Sequence, residues 1–171
     1  MGTKTIQVET VAQGYLELLR ERGVDYFLAN AGTDFASLVD AFAKLAAERK
    51  TAPKPLVVPH EFVAVSMAHG YYLGAGRPLA VMVHVTVGTA NAACAIITAA
   101  RAQVPVLFTA GRTPITEEGL RGARDLHIHW AQESFGQAAM LREYLKWDYE
   151  LRNAVQLESV VDRAFEVMLA E

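Results

Sequence analysis

The sequence predicts one α/β domain, in which a mainly parallel sheet lies between two layers of helices. Three observations carry that expectation. Short apolar runs recur at 26–29, 56–58, 79–83 and 106–108, and they are continuous rather than alternating, as suits strands buried on both faces. Pro55, Pro78 and Pro105 stand directly before three of these runs, at a strand-entry position where a missing N–H need not break the ladder. Between the runs lie helical patterns of about a dozen residues, the spacing of right-handed βαβ units.

The elements follow in order. Val11, Tyr15, Leu18 and Leu19 are spaced i, i+4, i+7 and i+8, with Thr10 and Gln13 as a capping box and Gly23 as a helix end. Further helices are expected at 35–48, from His60 to about Leu73, and from Thr89 to about Gln103. Leu157, Val160, Val161, Ala164 and Met168 form the apolar stripe of a last helix. Cys94, among Ala92, Ala93 and Ala95, is expected to pack as a small hydrophobe. Residues 112–130 carry the weakest pattern and read as a loop crossing the carboxyl edge of the sheet.

Composition bounds the function. The 171 residues, 52% hydrophobic, suit a single domain spanning 1–171 that needs no disulfide to hold its core. The formal net charge is −3 and there is no Lys/Arg block, so neither nucleic acid nor an anionic membrane surface is an expected partner. No apolar run reaches the roughly 20 residues that span a bilayer. Residues 1–10 lack the charged and apolar regions of a signal peptide, and a lone Cys94 cannot form an internal disulfide. The expected location is the cytoplasm.

In open α/β sheets ligands bind at the carboxyl ends of the strands. Those ends read Asn30-Ala31-Gly32-Thr33-Asp34, Pro59-His60-Glu61, His84-Val85-Thr86-Val87-Gly88-Thr89-Ala90-Asn91, and Ala110-Gly111-Arg112-Thr113-Pro114. They are polar or small, and they do little for a core. From residue type alone, Glu61 is either an acid–base group or a carboxylate at the positive end of the following helix. His84 is either a proton carrier or a histidine bonded to backbone. Thr33 either donates to a ligand carboxylate or, like Asp34, caps the helix that begins at Phe35. His127 and His129 have no third ligand at a plausible spacing, so no metal site is expected. A module for another nucleotide would want a glycine-rich turn after the first strand, which residues 29–33 only half supply.

Three motifs in sequence are more specific: His60-Glu61 with Ala64, Met67-Ala68, Gly70-Tyr71 and Gly76-Arg77-Pro78; Gly88-Thr89-Ala90-Asn91 leading into a small-residue helix; and Pro105-Val106-Leu107-Phe108 with Gly111. Together they resemble the pyrimidine-binding (Pyr) domain of thiamine diphosphate-dependent enzymes, the family of acetolactate synthase, pyruvate oxidase and benzoylformate decarboxylase. The resemblance covers nearly the whole chain and implies a three-layer α/β/α fold with a mainly parallel, flavodoxin-like sheet.

It also implies roles. Glu61 would hydrogen-bond N1′ of the aminopyrimidine and favour the imino tautomer, whose nitrogen removes the proton from thiazolium C2. His84, in a segment more like benzoylformate decarboxylase than the Gly-Pro-Gly turn of acetolactate synthases, would handle protons during decarboxylation and product release. Thr33 would lie near the substrate carboxylate, and Gln132, within Trp130-Ala131-Gln132-Glu133, would face the thiazolium and substrate. Gly88 and Asn91 would shape the turn beside the pyrimidine.

The resemblance further implies that thiamine diphosphate is shared with a PP domain, which holds the diphosphate through Mg²⁺. The PP signature, Gly-Asp-Gly followed by Asn-Asn, does not occur in these residues. The expected partners are therefore a second Pyr domain, in a homodimer or higher oligomer, and a PP domain in trans or in the parent chain, with a small 2-keto acid as substrate. The chain is either the Pyr domain of a longer polypeptide or the small subunit of a split enzyme of the sulfopyruvate decarboxylase type. The expected activity is 2-keto acid decarboxylation or carboligation, with the isolated chain inactive; the alternative is a catalytically silent Pyr-like interaction domain.

Overall fold

The computed structural model of the chain describes residues 5–120, 122–124 and 131–170. Helix α1 (Val11–Glu21) leads into strand β1 (Tyr26–Asn30), followed by β2 (Lys54–Val57), β3 (Ala80–Val83) and β4 (Leu107–Ala110). Between the strands run α2 (Ala36–Ala47), α3 (Glu61–Ala75), and the pair α4 (Val85–Asn91) and α5 (Ala93–Arg101); α6 (Leu157–Leu169) comes last. The strands form one four-stranded sheet in the order β2-β1-β3-β4, with every pairing parallel. This is the α/β architecture the apolar runs predict.

Alternation along the strands sorts the core into two layers. Phe27 and Ala29 of β1 and Ala80 of β3 pack against α1, α2 and α6, on Leu16, Leu19, Leu38, Leu45 and Phe165. Leu28, Val81 and Val83 point the other way, onto Ala64, Val65 and Ala68 of α3 and Ala95 and Ile96 of α5. Phe27, Leu16 and Leu19 are almost fully enclosed, and burying each such side chain contributes about 1.5–3 kcal/mol. Because α2 and α3 lie on opposite faces, the chain leaves β1 toward β2 on one side and returns to β3 on the other. The carboxyl ends of β1 and β3 thus flank the point where strand order reverses, the usual place for a ligand crevice in such sheets.

Local chemistry accounts for the element ends. Thr10 Oγ1 accepts from the Gln13 N–H at 3.2 Å, while Gln13 Oε1 reaches back to the Glu9 N–H at 3.0 Å, one residue beyond the usual capping-box donor. Gly23 ends α1 in the left-handed region, at φ +76°.

Several details differ from the sequence expectation. β2 is an edge strand, and Val57 is 83% exposed rather than buried; the edge is also what tolerates Pro55 inside the strand. The helix expected from Thr89 begins at Val85, immediately after β3, and a turn at Ala92 divides it into α4 and α5. Val85 has φ +34°, which swings the chain out of the strand within one residue, and two β-branched valines at 85 and 87 disguise a helix start. On α1 the buried stripe is Ala12, Leu16 and Leu19, with Val11 exposed. Cys94 is exposed, because α5 turns Ala95, Ile96 and Ala99 inward. No helix among the described residues is long and apolar enough to cross a membrane.

Candidate functional site

The end of β2 delivers Glu61 as the first residue of α3. His60, in extended conformation, occupies the N-cap, and its Nδ1 accepts from the Phe62 N–H at 3.2 Å. With the cap filled by His60, the Glu61 side chain turns inward, where the residue is 9% exposed and Oε2 accepts from Asn91 Nδ2 at 2.5 Å. Over the other oxygen lies Gly88. A Cβ at that position would sit 3.3 Å from Glu61 Oε1 and 2.9 Å from Val83 Cβ, so only glycine leaves this space open. Among the described residues Oε1 has no hydrogen-bond partner.

The end of β3 delivers His84, the residue before α4. Its Nδ1 lies 2.7 Å from Asp34 Oδ1, and the two side chains are only 16% and 8% exposed. Asp34 Oδ2 also accepts from the Val85 N–H at 3.3 Å. Positive φ at a β-branched residue costs on the order of 1–3 kcal/mol, and Val85 holds φ +34° at the point where its N–H meets Asp34. One of the two readings open from residue type has Thr33 or Asp34 capping the helix from Phe35. Instead, Gly32 precedes the short 3₁₀ turn Thr33–Phe35 with no side-chain cap bond.

The segment after β4 closes over His84. Gln132 Nε2 lies 3.4 Å from His84 Nε2, and the Gln132 carbonyl accepts from Thr86 Oγ1 at 3.1 Å. Glu133 binds the Thr113 hydroxyl and the Arg112 guanidinium at the start of the same segment. The Thr113 hydroxyl foremost, with the Ser134 N–H and Arg112, holds the Glu133 carboxyl below the usual carboxylate range, against the opposing pull of desolvation. Gln137 is buried and donates to Thr89 Oγ1 and to the Gly111 carbonyl, both at 3.0 Å, tying α4 to the end of β4.

Glu61, Gly88 and Asn91 therefore meet in one cluster, and His84 and Gln132 in a second; α4 links the two. Thr33 does not join either. It is exposed, its carbonyl accepts from Arg124 at 3.0 Å, and it lines a separate open depression of about 570 Å³ along α2. Trp130, His127 and His129 lie outside the described residues, and among those described no group of three or more His, Cys, Asp or Glu could hold a metal ion. Sequence reasoning missed Gln137, Thr86 and the contact Asp34 makes. Gln137 follows a patternless loop and gives no signal; Asp34 gives one, but the wrong one, because an acid ahead of a helix looks like a cap.

Residues 9–140 match the family model described as the thiamine pyrophosphate enzyme, N-terminal TPP binding domain. The chain belongs to the thiamine pyrophosphate enzyme family. It is the family's pyrimidine-binding domain, as the three sequence motifs implied. Benzoylformate decarboxylase from Pseudomonas aeruginosa is 26% identical over 167 residues, covering 92% of this chain and 29% of that protein. The acetolactate synthase large subunit from Haemophilus influenzae is 26% identical over 157 residues, covering 90% of this chain and 24% of that protein. The crystal structure of benzoylformate decarboxylase from Polynucleobacter necessarius shares the fold, with a TM-score of 0.75 at 22% identity over 94% of this chain and 27% of that one. The chain thus spans less than a third of the length of these relatives.

Proposed function

We propose that this domain supplies the pyrimidine side of a thiamine diphosphate site in a 2-keto acid decarboxylase or carboligase, with Glu61 as the cofactor-activating group. One observation carries the reading: a buried carboxylate at a strand end has one oxygen fixed by Asn91 and the other facing space kept open by Gly88. Those residues fit an aminopyrimidine ring, whose nitrogen can share a proton with a positioned, partly desolvated carboxyl group. When bound, the cofactor supplies the carbanion chemistry at its thiazolium.

The chain's own residues do the rest. Glu61 Oε1 takes and returns the proton at the ring nitrogen, and Asn91 keeps the carboxylate from swinging away. His84 Nε2, beside Gln132, exchanges protons with the substrate during decarboxylation and product release. Such positioned acid–base groups typically contribute about 10²–10⁴ in rate. Thr33, on the adjoining loop, is assigned the outer wall near the substrate carboxylate, a role that requires the partner domain to cover its exposed side.

The diphosphate and Mg²⁺ fall in this reading to a PP domain, in trans or in the parent chain, because magnesium usually reaches proteins through carboxylates and substrate phosphates together. Phe62, Val63 and Met67 of α3 and Val87 of α4 stand exposed beside the site, apolar surface suited to a second Pyr domain or a PP domain. We place the assembly in the cytoplasm as at least a dimer. Calorimetric titration tests the half-site directly. The chain alone should bind thiamine diphosphate with Mg²⁺ weakly, and a PP-bearing partner should restore tight binding. Tight binding by the chain alone contradicts the proposal.

A further inference from the structure

We propose that Asp34 is a positioning residue: it fixes His84 as the Nδ1–H tautomer and so presents an unprotonated Nε2 toward the space under Gln132. The inference extends the reading of His84 as a proton carrier and rests on that reading for its catalytic meaning, though not for its geometry.

Four observations converge on the pair. The 2.7 Å contact joins Asp34 Oδ1 to Nδ1 of a half-buried ring, and a carboxylate can only accept there, so the proton sits on Nδ1. On the far side of the ring the Gln132 amide nitrogen, a donor, lies 3.4 Å from Nε2, which complements a bare Nε2. The second Asp34 oxygen accepts from the Val85 N–H, and Val85 holds φ +34° in doing so. The carboxylate is therefore fixed at both oxygens.

The fourth observation is that the surrounding backbone is cut to fit the pair. A Cβ on Gly32 would fall 2.2 Å from His84 Cγ and Nδ1, and a Cβ on Gly111 would fall 1.7 Å from Asp34 Oδ2. Neither glycine is there for left-handed backbone, since Gly32 has φ −134° and Gly111 is not among the positive-φ residues. Loops from β1 and β4 thus each give up a side chain to admit one member of the pair, at the crevice where strand order reverses. A carboxylate that merely capped a helix would need neither clearance.

The arrangement predicts a specific failure. The substitution Asp34→Asn keeps the shape of the side chain but offers one acceptor and one donor group in place of two acceptors. If the amide oxygen stays on the Val85 N–H, the NH₂ faces Nδ1 and drives the imidazole proton to Nε2. The opposite orientation sets NH₂ against N–H. A flipped tautomer presents an N–H where the wild-type ring presents a lone pair, so the proton exchange starts from the wrong state, the kind of loss a histidine suffers when its orienting aspartate becomes asparagine.

The test is ¹⁵N NMR of the His84 ring in the 171-residue chain, with turnover measured in the assembly that contains the PP-bearing partner. Wild-type protein should show a protonated-type Nδ1 and a bare-type Nε2, and Asp34→Asn should reverse the two. Decarboxylation should then fall about 10²–10⁴-fold, while C2-proton exchange, which depends on Glu61, should stay close to the wild-type rate. A protonated Nε2 in the wild-type chain overturns the proposal whether or not the variant folds; so does an unchanged tautomer in Asp34→Asn. A reversed tautomer with full turnover upholds Asp34 as the positioning group and overturns the catalytic reading of His84.

Discussion

Replacing Gly88 by alanine adds one methyl group where α4 packs against both Val83 of β3 and the Glu61 carboxylate. Two stability terms oppose each other. Alanine inside a helix gains about 1 kcal/mol over glycine. Against this, the new Cβ would stand 2.9 Å from Val83 Cβ and 3.2 Å from Val83 Cγ2, inside the normal contact distance of carbon atoms. Overpacking of that kind costs about 1–3 kcal/mol. The net loss is at most about 2 kcal/mol, or roughly 4–8 °C in Tm for a chain of this size. The effect on the site should be larger than the effect on the fold, because the same methyl group lies 3.3 Å from Oε1 and fills the space assigned to the pyrimidine. Cofactor affinity of the complete assembly should fall at least tenfold, about 1.4 kcal/mol. Circular dichroism melting and calorimetric titration read the two effects separately. An unchanged cofactor Kd together with a raised Tm would refute the reasoning, since it would mean that the glycine leaves no space that matters.

Two further predictions follow from neighbouring residues. His84→Ala should lose decarboxylation by about 10²–10⁴-fold and keep C2-proton exchange, so a normal decarboxylation rate returns His84 to a structural role. Glu133 titrates below the usual carboxylate range, so its contribution to holding the 132–134 segment is complete above about pH 4.3 and is lost as pH falls through the depressed value. Glu133→Gln should therefore flatten the acid limb of a Tm-against-pH curve, and an acid limb identical to wild type would remove Glu133 as the anchor.

The fold was legible because burial on both faces leaves a plain trace. Continuous apolar runs after Pro78 and Pro105 became β3 and β4, and the helical spacing between runs became the two covering layers. What a run cannot report is its place in the sheet. Residues 56–58 look like the others, yet β2 lies at the edge, and Val57 is open to solvent. Helix starts were hidden for a different reason: Val85 enters α4 through a positive φ that no propensity anticipates.

The site was legible to the extent that strand ends advertise it. Glu61, Gly88 and Asn91, which the resemblance grouped, do meet, and so do His84 and Gln132. Thr33 stands on the loop between Gly32 and Asp34, which both meet His84, but its own side chain is exposed and joins neither cluster. Asp34 reaches His84 across 50 positions of sequence separation, and Gln137 reaches Thr89 across 48. Pairings set by tertiary packing at such distances have no local signature, whereas a carboxylate beside a helix has a familiar one that here points elsewhere.

In the proposed function everything depends on Glu61, the buried carboxylate assigned to activate the coenzyme. The most direct test of that assignment is hydrogen–deuterium exchange at thiazolium C2 in the assembled protein carrying Glu61→Gln, a substitution that keeps the side chain's shape and its place beside Asn91 while removing the acid. Cofactor should still bind, and exchange should slow by at least about 10²-fold. Exchange at the wild-type rate with the cofactor fully bound would contradict it.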